Sequence, residues 1–159
     1  NTGALRFYHT ADYAIVTNCN FEGNTARTNS GALVVENADG VYLSDCKFIG
    51  NAAGSNGGAV QWTGINGVMT NCYFESNTGV IGGAVVWSGH NGILENTIFK
   101  SNSATSDIFG GGAIRWNGNY GKIDNVNFTS NNANTVRADN TEGGDGGFAN
   151  IVLVGIRIN

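Results

Sequence analysis

The tetrapeptide F-x-x-N recurs five times along the chain: Phe21-Glu22-Gly23-Asn24, Phe48-Ile49-Gly50-Asn51, Phe74-Glu75-Ser76-Asn77, Phe99-Lys100-Ser101-Asn102 and Phe128-Thr129-Ser130-Asn131. Successive Phe residues lie 27, 26, 25 and 29 positions apart. A period in this range marks a stacked repeat architecture. In such architectures the repeated positions build the core, so whatever breaks the repeat is the better place to seek function.

A second phrase alternates with the first. It reads Gly31-Ala32-Leu33-Val34-Val35, Gly58-Ala59-Val60-Gln61-Trp62, Gly83-Ala84-Val85-Val86-Trp87 and Gly112-Ala113-Ile114-Arg115-Trp116, with an opening copy Gly3-Ala4-Leu5-Arg6-Phe7. A degenerate copy, Gly147-Phe148-Ala149-Asn150-Ile151, stands near the end. Large apolar residues at alternate positions give each copy the period of a short strand with one face inward. That parity sets Phe7, Trp62, Trp87 and Trp116 inward, in the core; facing outward, they would instead make a sugar-binding platform.

A third phrase precedes each Phe, as in Val16-Thr17-Asn18-Cys19-Asn20-Phe21 and Met69-Thr70-Asn71-Cys72-Tyr73-Phe74. The Cys position and the Phe share a face, but the aliphatic residue three before the Cys breaks that parity. A bend is therefore expected at Asn18, Asp45, Asn71, Asn96 and Asn125, residue types that tolerate unusual backbone angles.

Three short strands and three corners per repeat predict an all-β, right-handed, single-stranded parallel β-helix of about five to six rungs, each rung about 4.8 Å above the last. The whole chain, 1–159, reads as one such domain. Stacking would place Phe on Phe and Asn on Asn. The inward Asn24, Asn51, Asn77, Asn102 and Asn131 could then bond one another through their amides and hold the corner backbone. The composition agrees: Pro is absent, Gly numbers 25, and charged residues are 13%, against a globular share of about 25%. A net charge of -4 argues against nucleic acid, which requires a basic stripe. No apolar run reaches the roughly 20 residues of a membrane helix. Asn1-Thr2-Gly3-Ala4 enters almost directly into a strand, which reads as a mature product or an excised fragment.

Gly57-Gly58-Ala59-Val60, Gly82-Gly83-Ala84-Val85 and Gly111-Gly112-Ala113-Ile114, alternating in register with all five F-x-x-N copies, resemble the repeats of the polymorphic outer-membrane protein family and related adhesin-like surface proteins. The likeness covers residues 3 to 131. It implies a right-handed β-helix displayed at a cell surface or extracellularly, adhering to a host-cell or neighbouring-cell protein or glycan. It implies no catalytic residues, because both motifs are structural.

Cys19, Cys46 and Cys72 hold one position in consecutive repeats, continued by Thr97 and Val126. Buried thiols act as small hydrophobes, and an odd number with filler continuations favours reduced core thiols. One stacked disulfide fits the Cα range such a bond tolerates. A metal would lack a fourth ligand and a nearby His.

The length of one connection varies from repeat to repeat. From Asn24 to Ala32, Asn51 to Ala59 and Asn77 to Ala84 the steps are 8, 8 and 7; from Asn102 to Ala113 the step is 11, and from Asn131 to Phe148 it is 17. The loops 103–110 and 132–146 would stack as a lip at one edge, where repeat proteins bind. The lip carries Asp107, Phe109, Arg137, Asp139, Glu142 and Asp145. Of these, Asp139, Glu142 and Asp145 could offer calcium oxygen ligands, although the spacing matches neither the EF-hand nor the Gly-rich calcium repeat; a solvated polar loop is the plainer reading, and no cofactor is expected.

Two other functional readings stand beside adhesion. Open ends and the run Ile151-Val152-Leu153-Val154-Gly155-Ile156 could pair end to end in a self-assembling filament. A polysaccharide-binding or polysaccharide-cleaving protein could use stacked Glu95 and Asp124, with Asp45 on the bend column, since glycosidases work with paired carboxylates. His9 and His90 lie in loops with no nucleophile or ligand set at a recognisable spacing.

Overall fold

The computed structural model describes residues 3–106, 110–133, 151–153 and 156–158. The chain winds into a parallel β-solenoid whose strands fall into four sheets of 6, 6, 5 and 5 strands. The first sheet contains Leu5–Tyr8, Leu33–Glu36, Val60–Trp62, Val85–Trp87, Ile114–Trp116 and Ile151–Leu153. The second contains Ile15–Thr17, Tyr42–Ser44, Val68–Thr70, Ile93–Glu95, Gly121–Asp124 and Ile156–Ile158. The third carries the Phe of every F-x-x-N, from Asn20–Glu22 to Asn127–Thr129. Among the described residues no helix forms, so none is long and apolar enough to cross a membrane.

The fourth sheet departs from the expectation of three strands per repeat. It is built of two-residue strands, Thr25–Ala26, Ala52–Ala53, Thr78–Gly79, Ser103–Ala104 and Asn132–Ala133, directly after each F-x-x-N. Two residues are too few to show a period, which is why the sequence hides them.

Stacking orders the interior by residue type. Phe21, Phe48, Phe74, Phe99 and Phe128 lie ring on ring, with centroids 4.6–5.2 Å apart and planes within 10°. Trp62, Trp87 and Trp116 stack at 4.4 and 4.5 Å and are wholly buried. They are core, so the sugar-platform reading is overturned. The Nε1–H groups of Trp87 and Trp116 donate to the carbonyls of Gly89 and Gly118, at 3.1 and 3.0 Å. Trp62 Nε1 has no partner among the described residues. The inward column of the second sheet, Val16, Leu43, Met69, Leu94 and Ile123, is buried throughout. Burying one such large side chain contributes about 1.5–3 kcal/mol relative to leaving it in water.

The bends fall where parity demands them. Asn18, Asp45, Asn71, Asn96 and Asn125 all take positive φ, between 49° and 54°. The F-x-x-N corner divides its work between two residues. Gly23, Gly50, Ser76, Ser101 and Ser130 take the left-handed backbone, leaving the following Asn free to turn inward. There Asn77 Oδ1 accepts from the backbone N–H and the side-chain amide of Asn51, at 2.9 and 3.0 Å. Its Nδ2 donates to Phe48 O and to Asn102 Oδ1, both at 2.9 Å. Asn51 and Asn102 repeat the same four-bond pattern, with Phe21 O and Phe74 O as the respective carbonyl acceptors. Each amide so spends both its ends on backbone groups that would otherwise be buried without partners.

The Gly-Gly pair answers to close approach. A Cβ on Gly83 would lie 1.8 Å from the carbonyl oxygen of Gly112 in the next rung, and one on Gly82 would lie 2.2 Å from that of Val85. The segment before the strand thus lies flat against the strand's outer face, where Gly82 comes against the Val86 side chain, which is buried despite outward parity. In the second repeat Ser30 replaces the first Gly, and its hydroxyl donates to the Ala59 carbonyl.

The sixth copy sits two residues later than the sequence alignment places it. Ile151 pairs with Ile114 and Leu153 with Trp116, whereas the phrase beginning at Gly147 set Ile151 opposite Trp116. A slip of two leaves the alternation of a strand unchanged, so parity could not detect it.

Candidate functional site

The residues proposed as a binding lip, Asp107, Phe109, Arg137, Asp139, Glu142 and Asp145, lie outside the described residues, and the calcium reading lies there with them. The candidate face that the structure does describe is the outside of the second sheet and the corner leading into it.

One outward column of this sheet runs Ile15, Tyr42, Val68, Ile93 and Lys122 in register. Ile15 is 70% exposed and Tyr42 39%; Val68, Ile93 and Lys122 are half-buried. The corner two residues earlier requires a left-handed backbone in every rung. Gly40, Asn66 and Asn91 meet this requirement in the middle rungs with φ of 64°, 55° and 54°. In the first and fifth rungs the same corner is occupied by Tyr13 and Tyr120, with φ of 59° and 58°. A bulky side chain in this region is a backbone outlier, at a cost of order 1–3 kcal/mol. Burial does not repay it, because Tyr13 is 79% and Tyr120 84% exposed. The Tyr13 ring leans along the solenoid over Gly40, where a Cβ would come within 2.6 Å of a ring carbon.

Side chains tie this corner from rung to rung. Asp12 Oδ1 accepts the Asp39 N–H at 2.8 Å, Asp39 Oδ1 accepts the Ile65 N–H at 3.0 Å, and His90 Nδ1 accepts the Asn119 N–H at 2.9 Å. The bend residues on the far side of the sheet are similarly linked, Asn125 Nδ2 donating to Asn96 Oδ1 at 2.7 Å. The face is therefore a fixed surface with exposed tyrosines set upon it.

Its electrostatics change along the axis. In the last outward column, Thr17, Ser44 and Thr70 give way to Glu95 and Asp124. Glu95 and Asp124 stack as expected from the sequence, but Lys122 bridges both, with Nζ 2.8 Å from Glu95 and 3.1 Å from Asp124. The hydrogen bond to Glu95, and then that to Asp124, raises the Lys122 pKa above its ordinary value. The two carboxylates thus serve an ion cluster. Asp45 is exposed on its bend, and the exposed His9 ring packs edge-on against Tyr8 at 4.1 Å. No group of three His, Cys, Asp or Glu residues among the described ones could hold a metal ion.

Tyrosines offer large, stiff contact area with a polar handle, the combination favoured at recognition surfaces. Sequence reading passed over this face, yet the signal was present. The position four before each Cys or its substitute is apolar in Ile15, Tyr42, Val68 and Ile93 although its parity is outward. Tyr13 and Tyr120 stand where the other copies carry Gly or Asn.

The fold places the chain in the class of parallel β-solenoids. No protein-family model matches it, nor does any curated protein or solved structure compared with it.

Proposed function

We propose that this chain is a non-catalytic, adhesin-like display solenoid that binds a macromolecule on a neighbouring cell surface, protein or glycan, through the tyrosine-bearing face of its second sheet. The observation carrying this reading is the pair Tyr13 and Tyr120, held in strained backbone at two ends of one corner while left almost wholly in solvent. Neither folding nor burial requires tyrosine there, since Gly and Asn suffice in the rungs between. Exposed aromatic residues supply contact area at low entropic cost, and Ile15, Tyr42 and Ile65 extend that area along the axis. The likeness of the repeats to polymorphic outer-membrane proteins supports an adhesive role at the surface. The lip loops 103–110 and 132–146 belong to the same proposal as a second contact region.

The test is adhesion of the purified chain to glycan arrays and to cells, wild type against the double variant Tyr13→Asn, Tyr120→Asn. Asn suits the left-handed corner, so the variant keeps the fold. Binding by the wild type that falls at least tenfold in the variant supports the reading. Equal binding by both chains would sink it, as would no binding by either.

A further inference from the structure

The column Cys19, Cys46 and Cys72 lies at the bend between the second and third sheets, one sulfur per rung. All three are free thiols; Cys46 and Cys72 are buried and Cys19 is partly exposed. Each thiol donates across the bend to the carbonyl two residues earlier: Cys19 to Thr17 O at 3.3 Å, Cys46 to Ser44 O at 3.0 Å, Cys72 to Thr70 O at 3.2 Å. Thr97 repeats this contact with Glu95 O at 2.7 Å. Two of these groups also receive a backbone N–H from the rung before. Cys46 Sγ accepts from Cys19 N–H at 3.4 Å, and Thr97 Oγ1 from Cys72 N–H at 3.3 Å. A hydroxyl both donates and accepts here as well as a thiol does, and Val126 fills the fifth place with no polar atom at all. Three sulfurs in succession are more than the fold demands.

We infer that Cys19 and Cys46 form a thiol–disulfide exchange site whose substrate class is a small-molecule disulfide, Cys19 acting as the entry thiol and Cys46 as the resolving thiol. Three observations converge. Cys19 is the member of the column reached by solvent. Adjacent rungs set their Cα atoms about 4.8 Å apart, within the 4.4–6.8 Å span a disulfide requires. Cys46 also sits where a thiolate is stabilised. The hydrogen bond with the Cys72 thiol, aided by the Cys19 N–H and thiol and opposed by burial, lowers its pKa to about 7. Cys72 moves the opposite way, its bond to Cys46 and its burial both pushing its pKa up. The thiolate is the attacking species in exchange.

The chemistry balances within the site. The Cys19 thiolate attacks one sulfur of the small disulfide; the new S–S bond joins Cys19 to one half, and the other half leaves as thiolate. The Cys46 thiolate then attacks Cys19 Sγ, and the second half leaves. The products are a Cys19–Cys46 disulfide and two small thiols, which take up the two protons lost by the cysteines. Two electrons pass from the protein thiols to the small disulfide. Cys72 remains a thiol.

The test treats the folded 159-residue chain with oxidised glutathione and reads intact mass and peptide maps. The wild type is expected to lose the mass of two hydrogens, with the linkage mapped to Cys19–Cys46. Cys46→Thr, which borrows the residue of the fourth rung, is expected to stop at a stable glutathione adduct on Cys19. Cys72→Thr is expected to form the disulfide still, because its sulfur takes no part in the bond. The inference is overturned if the wild type keeps a stable adduct on Cys19, if the linkage maps to Cys46–Cys72, or if its mass does not change. Circular dichroism of each variant before treatment establishes that the solenoid is intact.

Discussion

The two faces of the second sheet are made by the same strands, at the same spacing, and obey different rules. Inside, Val16, Leu43, Met69, Leu94 and Ile123 differ in shape but never in character, and all are buried. Outside, Ile15, Tyr42, Val68, Ile93 and Lys122 begin apolar and end charged. Stacking alone explains repetition on both faces, because each rung templates the next. The core explains only the inner column. The outer column and the tyrosine corner keep apolar surface in water, which packing of the core does not explain.

Variants can break or sharpen that contrast. The largest effect is expected inside, from Phe74→Ala. It empties the middle of a five-ring stack and should cost about 3–5 kcal/mol, read as a lower denaturant midpoint at unchanged slope. Next comes Asn77→Ala, which orphans the Asn51 N–H and the Phe48 carbonyl, each costing about 1–3 kcal/mol. Asn77→Asp should restore the acceptor half only, because a carboxylate cannot donate to Phe48 O or Asn102 Oδ1. A chain in which Asp matched Asn in thermal unfolding would contradict the ladder account. Outside, Tyr42→Ser should move stability by no more than about 0.5 kcal/mol while weakening adhesion. A large loss of stability there would return Tyr42 to the structural residues.

The smallest expected effects belong to the exposed ion pairs, and they have a sign in pH. The Lys100 hydrogen bond, followed by that of Tyr73, lowers the Glu75 pKa. The contribution of that pair is present above the ordinary carboxylate range and fades as pH falls through the lowered value. Lys122 is raised by Glu95 and Asp124. Its contribution is whole below the ordinary ammonium range and fades as pH rises through the raised value. Both are open to solvent, so high salt should flatten both limbs of a melting temperature–pH curve.

Much of this molecule could be read from its letters because its rules are local and repeated five times. The Phe and Asn columns, the inward tryptophans and the left-handed bends at Asn18, Asp45, Asn71, Asn96 and Asn125 each follow from parity or from side-chain chemistry. What escaped had no such signature. The two-residue strands of the fourth sheet are shorter than any period. The sixth copy slipped by two, a shift that parity does not register. Val86 is buried with the Gly-Gly segment laid against it, a contact that parity does not foretell. The tyrosine face escaped for another reason: a motif search attends to what recurs, and Tyr13 and Tyr120 matter by departing from Gly40, Asn66 and Asn91.

The hydrogen bonds that join the strands all run from one rung to the next, along the solenoid axis. Tension applied between the two ends therefore loads those bonds in series, and one rung can peel away while its neighbours hold. Each rung spans 25 to 29 residues, and paid out at about 3.4 Å per residue it would lengthen the chain by roughly 90 Å. A protein built this way responds to pulling as a store of slack, released in nearly equal steps.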